Sequence, residues 1–371
     1  MIAEYDVVIV GASIAGASLA YSLGNAGIKT ALIDKKGFPR WKPCGEGLSN
    51  IATSHLKKLG LFETVLKSPH TLIPRYRIHI GPLKIPVSVV NFLNNRIRRS
   101  NIVGLDRSAF DFALVTKALS TKRVDFFDNQ KITSDWIQNG RIHTSEGILN
   151  AKYVVLAAGN NHSFKEMFSF TEGRDRFGLS THLTFSEPHG LNAVEIITKK
   201  HLQLFLTPIS GTKLNLSALG SQKEIKALAQ NQLVPAIEFV KNRLNLRDFL
   251  VSEVVGAGPF GRQANKRVSG NIILLGDAHE SLDPIGGMGM TQGIISASTL
   301  GDTLFGILKK GENPDSALIS WEARLSRKLY PLKVFTSLVR FLLDRIISFG
   351  WIGSSNFKNN SILQAPGMNL N

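Results

Sequence analysis

The sequence predicts an α/β protein: a parallel sheet assembled from distant pieces of the chain, an antiparallel sheet inserted into it, and a helical C-terminal segment. Three observations carry this expectation. A β–α–β unit fills the first 34 residues, two later apolar runs (153–158 and 271–276) lead into glycine, and residues 70–98 and 166–261 alternate apolar with polar residues.

The first strand is Tyr5-Asp-Val-Val-Ile-Val10, a β-branched run ending on Gly11, the pattern of a strand buried on both faces. A helix over about Ser13 to Ala26 keeps Ala15, Leu19 and Leu23 on one face, Gly27 stops it, and Lys29 to Asp34 returns as a second strand. Such a unit crosses over right-handedly into a parallel sheet. Ser108 to Ala118 reads as a helix, Tyr153 to Ala158 and Asn271 to Gly276 as buried strands, and Thr291 to Lys309 as a helix. The segments His182-Leu-Thr-Phe-Ser and Leu202-Gln-Leu-Phe-Leu-Thr predict an antiparallel sheet with one open face. Residues 1–69, 99–165 and 262–330 are expected to form one discontinuous domain, 70–98 and 166–261 a second, and 331–371 a helix and loose tail.

Composition narrows the function classes. A single cysteine among 371 residues excludes a disulfide framework or a multi-cysteine zinc site and fits a reduced compartment, most simply a cytosol. The acidic start lacks the pattern of a secretory signal, and no run of about 18 apolar residues predicts a spanning helix. The net charge of +16 favours an anionic partner: nucleic acid, a membrane surface or a phosphorylated ligand.

The turn Gly11-Ala-Ser13-Ile14-Ala15-Gly16 lies between strand and helix where a dinucleotide fingerprint lies, with Ser13 in place of its middle glycine. The helix start supplies free N–H groups and partial positive charge for a diphosphate. Asp34, 18 residues past Gly16, is placed to accept from ribose hydroxyls, with Lys35 beside it. A second constellation, Gly276-Asp277-Ala-His279 through Pro284, Gly286, Gly287, Met288, Gly289 and Met290, brings bare backbone to the start of a helix. A third, Arg40-Trp-Lys42-Pro-Cys44-Gly45-Glu46-Gly-Leu48, contains the lone cysteine. Free cysteine is commonly a small buried hydrophobe, whereas the flanking cations and glycines favour a functional position.

The Gly-Asp and glycine-rich pattern resembles flavoproteins of the p-hydroxybenzoate hydroxylase fold, and the Pro-Cys-Gly-Glu-Gly-Leu run resembles their geranylgeranyl reductase branch. The resemblance implies a Rossmann-like FAD-binding domain. It places Gly11, Ser13, Ile14, Ala15, Gly16, Asp34, Lys35, Arg40, Cys44, Gly45, Arg107, Ala158, Gly159, Gly276, Asp277, Pro284 and Gly286 to Met290 among the residues that bind FAD. Asp277 would contact the ribityl chain. Cys44, Gly45 and Glu46 become the catalytic candidates. Arg107 fits the family's Arg-x-x-hydrophobic-Asp-x-x-Leu helix, with a solvated arginine as the plain alternative. Two departures stand out: His279 replaces an alanine, and Ala158 replaces the Asp of a second Asp-Gly motif, with His162 and Lys165 at the following Ser and Arg positions. The second departure weighs against direct reduction by NADPH and leaves the electron donor open among NADPH, ferredoxin or another.

Two reactions follow from the resemblance: reduction of a prenyl C=C bond, or monooxygenation of an aromatic or lipophilic substrate. Halogenation is disfavoured by the absence of the family's Trp-x-Trp-x-Ile motif. A non-catalytic, basic nucleic-acid binder is the remaining class, but only Arg96, Arg98 and Arg99 cluster tightly and no nucleic-acid motif accompanies them. Finally, Phe335, Leu338, Val339, Leu342, Ile346 and Phe349 recur at helical spacing between Tyr330 and Trp351, interleaved with Lys333, Arg340 and Arg345. That segment either packs on its own domain or lies on an anionic membrane surface, which would suit a small lipophilic substrate.

Overall fold

The structure is a computed structural model that describes residues 2–80, 102–138, 140–160, 164, 166–199, 202–246 and 248–350, without the side chains of 80, 199, 344 and 346–350. The basic cluster at Arg96, Arg98 and Arg99, the positions His162 and Lys165, the side chains of Ile346 and Phe349, and the tail from Trp351 lie outside the described residues.

Elements used below are, in chain order, β1 (Ile2–Val10), α1 (Ile14–Asn25), β2 (Thr30–Ile33), β3 (Tyr76–Ile80), α2 (Arg107–Leu119), β4 (Val124–Phe127), β5 (Gly147–Leu156), β6 (Phe177–Phe185), β7 (Val194–Lys199), β8 (Leu202–Pro208), β9 (Lys213–Gly220), β10 (Ile272–Leu274), α3 (Gly289–Lys310) and α4 (Pro314–Gly350). Strands β10, β5, β1, β2 and β4 lie side by side and parallel, with Val8 opposite both Val154 and Ala31. Their β-branched runs are buried because helices α1, α2 and α3 cover one face. Residues Arg141–Thr144 add an antiparallel strand against β5. β5 is longer than the apolar run predicts, since Asn150 and Lys152 extend it where the sheet reaches solvent.

In chain order β1 leads through α1 to β2 on one side, while β5 flanks its other side. The carboxyl ends of β1 and β5 therefore form the switch point where ligands sit in open α/β sheets. Gly11 at the end of β1 is so close to the Ala157 backbone that a Cβ there would collide with its carbonyl.

The second sheet runs Phe249–Val251, β6, β9, β8, β7, β3, antiparallel except for the β7–β3 pair. Here the alternation misleads about exposure. Leu179, Leu183, Leu204, Leu206, Leu214 and Leu216 pack beneath helices Gln222–Gln230 and Val234–Leu244, as an amphipathic sheet should. The polar alternants Ser180, His182, Gln203, Thr207, Asn215 and Ser217 are also buried, so this face is not open. Several of them meet the Cys44 loop instead of water.

A further departure concerns α4. Proline removes a helix hydrogen bond and usually ends a helix, yet α4 runs 37 residues through Pro331. Pro331 is exposed.

Candidate flavin site

The switch point opens into a cleft lined by Ser13, Ile14, Ala15, Lys42, Arg107, Ala157, Gly159, Leu275, Asp277, Gly289, Met290 and Gly293. Two helix starts converge on it. At α1 the first backbone bond is from Ala17 N–H to the Ser13 carbonyl, no side chain caps the turn, and no acid lies in it. At α3 the cap position is Met288, again without a capping side chain or acidic residue. The helices approach this closely because a Cβ on Gly293 would lie 3.3 Å from the Ala15 Cβ. Uncapped N–H groups and aligned dipoles make this end of both helices attractive to anions or polarised carbonyls.

On one side, Asp34 ends the β2 segment with a buried carboxylate that accepts from Ala12 N–H at 2.9 Å, Lys36 N–H at 3.1 Å and Arg40 at 2.7 Å. Arg40 also donates to Ser13 Oγ at 2.9 Å, so the serine replacing the fingerprint glycine turns its hydroxyl toward Arg40 instead of capping α1. Lys35 points to solvent. The Nε of Arg40 and the indole Nε1 of Trp41 are buried without a protein partner.

On the other side, Arg107 opens α2. Its guanidinium pairs with Asp111 through bonds of 2.9 and 2.8 Å and lies beside the Cys44 side chain. Burial opposes its charge, but Asp111 and Cys44 outweigh that and hold its pKa above the ordinary arginine value. Burial pushes the Asp277 carboxyl above its ordinary pKa, against the pull of Lys42 and Arg107. Burial likewise pushes the Lys42 ammonium down, with Asp277 opposing. Gly159 has φ of +72° and Gly287 of +62°, conformations that glycine adopts without strain; both lie in the turns that reach the cleft. Pro284 and Gly286 form the tight turn before Gly287, and Ala158 follows β5 beside Gly159.

The Cys44 loop is clamped from beneath. The Cys44 carbonyl accepts from Asn215 Nδ2 at 2.9 Å and from Ser180 and Ser217 hydroxyls at 3.2 Å each. Its sulfur accepts from Glu46 N–H at 3.3 Å. Gly45 is exposed, and Glu46 is buried in a left-handed conformation with φ of 57°. Glu46 Oε1 accepts from Arg107 N–H at 2.9 Å, while Oε2 meets His182 Nε2 at 2.6 Å and Asn215 Nδ2 at 3.0 Å. The ring of His182 lies 3.6 Å from that of Trp41. At the far end of the loop, Ser49 Oγ and Thr291 Oγ1 bond at 2.8 Å and tie it to α3.

Of the residues singled out in the sequence, the structure brings Ser13, Ile14, Ala15, Arg107, Gly159, Asp277, Gly289 and Met290 to the cleft lining; Asp34 and Arg40 reach it through Ser13, the Cys44 loop through Arg107, and Lys35 is exposed. The structure adds four that sequence reading missed: Ser180, His182, Asn215 and Ser217. The available signal was register, since His182 faces Asn215 and Ser180 faces Ser217 across β6 and β9. His279, the departure in the Gly-Asp motif, is buried and kept neutral by desolvation, Arg267 and Lys333, with its pKa lowered to about 3.

These features fit FAD. An uncapped α1 beside a buried ribose-type carboxylate, unpartnered nitrogens of Arg40 and Trp41, and a glycine-lined second helix start are complementary to a long, anionic, partly flat cofactor. The comparisons agree. Residues 4–82 match the family model described as FAD binding domain. The chain is 23% identical to digeranylgeranylglycerophospholipid reductase of Methanococcus aeolicus over 89% of this chain and 84% of that protein. It is 24% identical to 1H-pyrrole-2-carbonyl peptidyl-carrier protein chlorinase of Pseudomonas fluorescens over 87% and 80%. An uncharacterized protein of Methanosarcina barkeri is 29% identical, but over 48% of this chain and only 43% of its own length. Among solved structures, p-nitrophenol 4-monooxygenase from Pseudomonas putida superposes with a TM-score of 0.73 at 17% identity, covering 92% of this chain and 90% of that one. Fold and site together define an FAD-dependent oxidoreductase. More particularly, it is one of the p-hydroxybenzoate hydroxylase fold, with distant relatives among prenyl-lipid reductases and halogenases.

Proposed function

We propose that this protein reduces C=C bonds of a prenyl-type lipid. The observation that carries the reading is the Pro43–Leu48 loop. Its cysteine lies beside Arg107 at the edge of the cleft, and its backbone is clamped by the polar face of the antiparallel sheet. The broken second Asp-Gly motif and the reductase relative support the same choice.

When bound, FAD supplies the two-electron chemistry. Gly11 to Gly16, Asp34 and Arg40 would hold its adenosine diphosphate half, Asp277 its ribityl chain, and Gly286 to Met290 the ring edge. The residues of the chain then have one further task. Saturating an alkene adds two hydrogens, and the second arrives as a proton. Cys44 Sγ holds a proton where a substrate over the loop can take it, and the Arg107 guanidinium beside the sulfur stabilises the thiolate left behind. The His182–Glu46 pair keeps the loop from shifting during this transfer.

The test is anaerobic. Enzyme-bound flavin is reduced, mixed with a prenyl lipid, and followed by absorbance. Reoxidation that depends on the lipid and not on oxygen supports the reading. Reoxidation that requires oxygen, with oxygenated product, moves the assignment to a monooxygenase.

A further inference from the structure

Helix α4 has two apolar faces, and the fold uses only one. Trp321, Leu325, Leu329, Leu332, Thr336 and Leu343 are buried against the body of the protein. On the other side Tyr330, Val334, Phe335, Leu338, Phe341 and Leu342 each expose between 37 and 66% of their surface. With about 3.6 residues per turn, these six fall within one arc of roughly 140°, opposite the buried one. A contiguous outward apolar stripe of this kind marks an interaction surface.

Charge identifies the partner. From Ala323 to Leu343 the helix contains no Asp or Glu but carries Arg324, Arg327, Lys328, Lys333 and Arg340. Lys333 and Arg340 turn inward, to Glu280 at 2.5 Å and Asp283 at 3.8 Å. Arg327 and Lys328 are exposed at one end of the stripe and Arg345 at the other, its guanidinium 5.2 Å from the Phe341 ring centre. An apolar stripe between cationic ends complements an anionic lipid surface. It does not complement a second copy of this chain, because two molecules of net charge +16 would bring the same basic ends together. No helix among the described residues is long and apolar enough to cross a membrane, so the helix would lie on the surface.

The position of the stripe gives it a use. Directly beneath it, Val339 and Leu343 pack with Ile285, Leu219, Phe205 and Phe260, joining the Asp283–Gly287 turn to the antiparallel sheet. A helix is about 10 Å across. Lying on a bilayer, α4 would hold the Asp283–Gly287 turn, which leads into the start of α3 at the cleft, about one helix diameter from the lipid.

We propose that the outer face of α4 from Tyr330 to Leu342 docks on an anionic bilayer and presents the cleft to lipid drawn from it. The second clause rests on the prenyl-lipid reading; the docking does not, and it is measured without turnover. The FAD-loaded full chain is sedimented with phosphatidylcholine vesicles and with vesicles that also contain phosphatidylglycerol, at low and high salt. The expected result is binding to the phosphatidylglycerol vesicles that weakens with salt. Replacing Leu338, Phe341 and Leu342 together by Gln should reduce it at least roughly tenfold, and Arg327→Gln with Lys328→Gln should remove most of its salt dependence. Retained flavin absorbance and circular dichroism confirm that the variants are folded. Equal binding of wild type and triple variant overturns the proposal, as does absence of binding to any vesicle. So does a dimer in sedimentation velocity that the triple variant abolishes. Turnover of a detergent-dispersed substrate, unchanged in the triple variant, separates loss of docking from failure of the reaction assignment.

Discussion

Glu46 offers the sharpest test of how the site is held together. Its carboxylate receives three donors: Arg107 N–H at 2.9 Å, His182 Nε2 at 2.6 Å and Asn215 Nδ2 at 3.0 Å. Glutamine has nearly the same shape but only one accepting oxygen, so its amide group must face at least one of these donors. Hydrogen bonds to a charged group contribute roughly 1.5–3 kcal/mol, and a buried donor left unmade costs about 1–3 kcal/mol. Both Glu46 and His182 are almost fully buried, so solvent screening does not discount the sum. Glu46→Gln should therefore destabilise the protein by about 3 kcal/mol. With a urea m-value near 3 kcal/mol/M, the midpoint should fall by roughly 1 M with m unchanged. A cycle with His182→Phe isolates the pair and should give a coupling energy of about 1–3 kcal/mol. A Glu46→Gln stability within ~0.5 kcal/mol of wild type, or zero coupling, would refute the clamp.

Other outcomes follow from the same geometry. Asp34→Ala removes the acceptor for Ala12 N–H and Arg40 and should weaken FAD binding by roughly 10- to 100-fold in a fluorescence titration, the equivalent of one charged hydrogen bond; unchanged affinity would place the ribose elsewhere. Cys44→Ala should keep FAD while slowing lipid-dependent flavin reoxidation by about 10²-fold, the usual weight of a positioned proton donor; full activity would make Cys44 structural. His279 has a folded pKa of about 3, below its ordinary 6.5, so the unfolded chain binds the extra proton first as pH falls. Its contribution to stability is intact above pH 6.5 and is lost progressively down to pH 3, by about 2 kcal/mol between pH 6.5 and 5. His279→Ala should flatten that part of the stability–pH curve, and an unaltered slope would show that the ring is protonated in the fold.

Most of the parallel sheet was legible because burial on both faces demands unbroken β-branched runs, and those runs stand out at Val7–Val10 and Val154–Leu156. The cofactor turn was legible because glycines with a strand before and a helix after have few other uses. The antiparallel sheet was not. Its polar alternants follow the rule for a solvated face, and nothing local distinguishes a serine facing water from Ser180 or Ser217 facing the Cys44 carbonyl. Only pairing β6 with β9 in register brings His182 and Asn215 onto Glu46. The full length of α4 was not legible either: it runs from Pro314 through Pro331, where packing of Leu329, Leu332 and Thr336 overrides the local helix-breaking effect of proline.

The central claim is that the cleft delivers two hydrogens, and no oxygen atom, to a prenyl chain. Mass spectrometry of a prenyl lipid incubated with reduced holoenzyme in deuterated buffer tests it most directly. The account predicts a product heavier by two added hydrogens, at least one of them deuterium, at one or more former double bonds, formed equally well without oxygen. A product that gains an oxygen atom and forms only in air would contradict it.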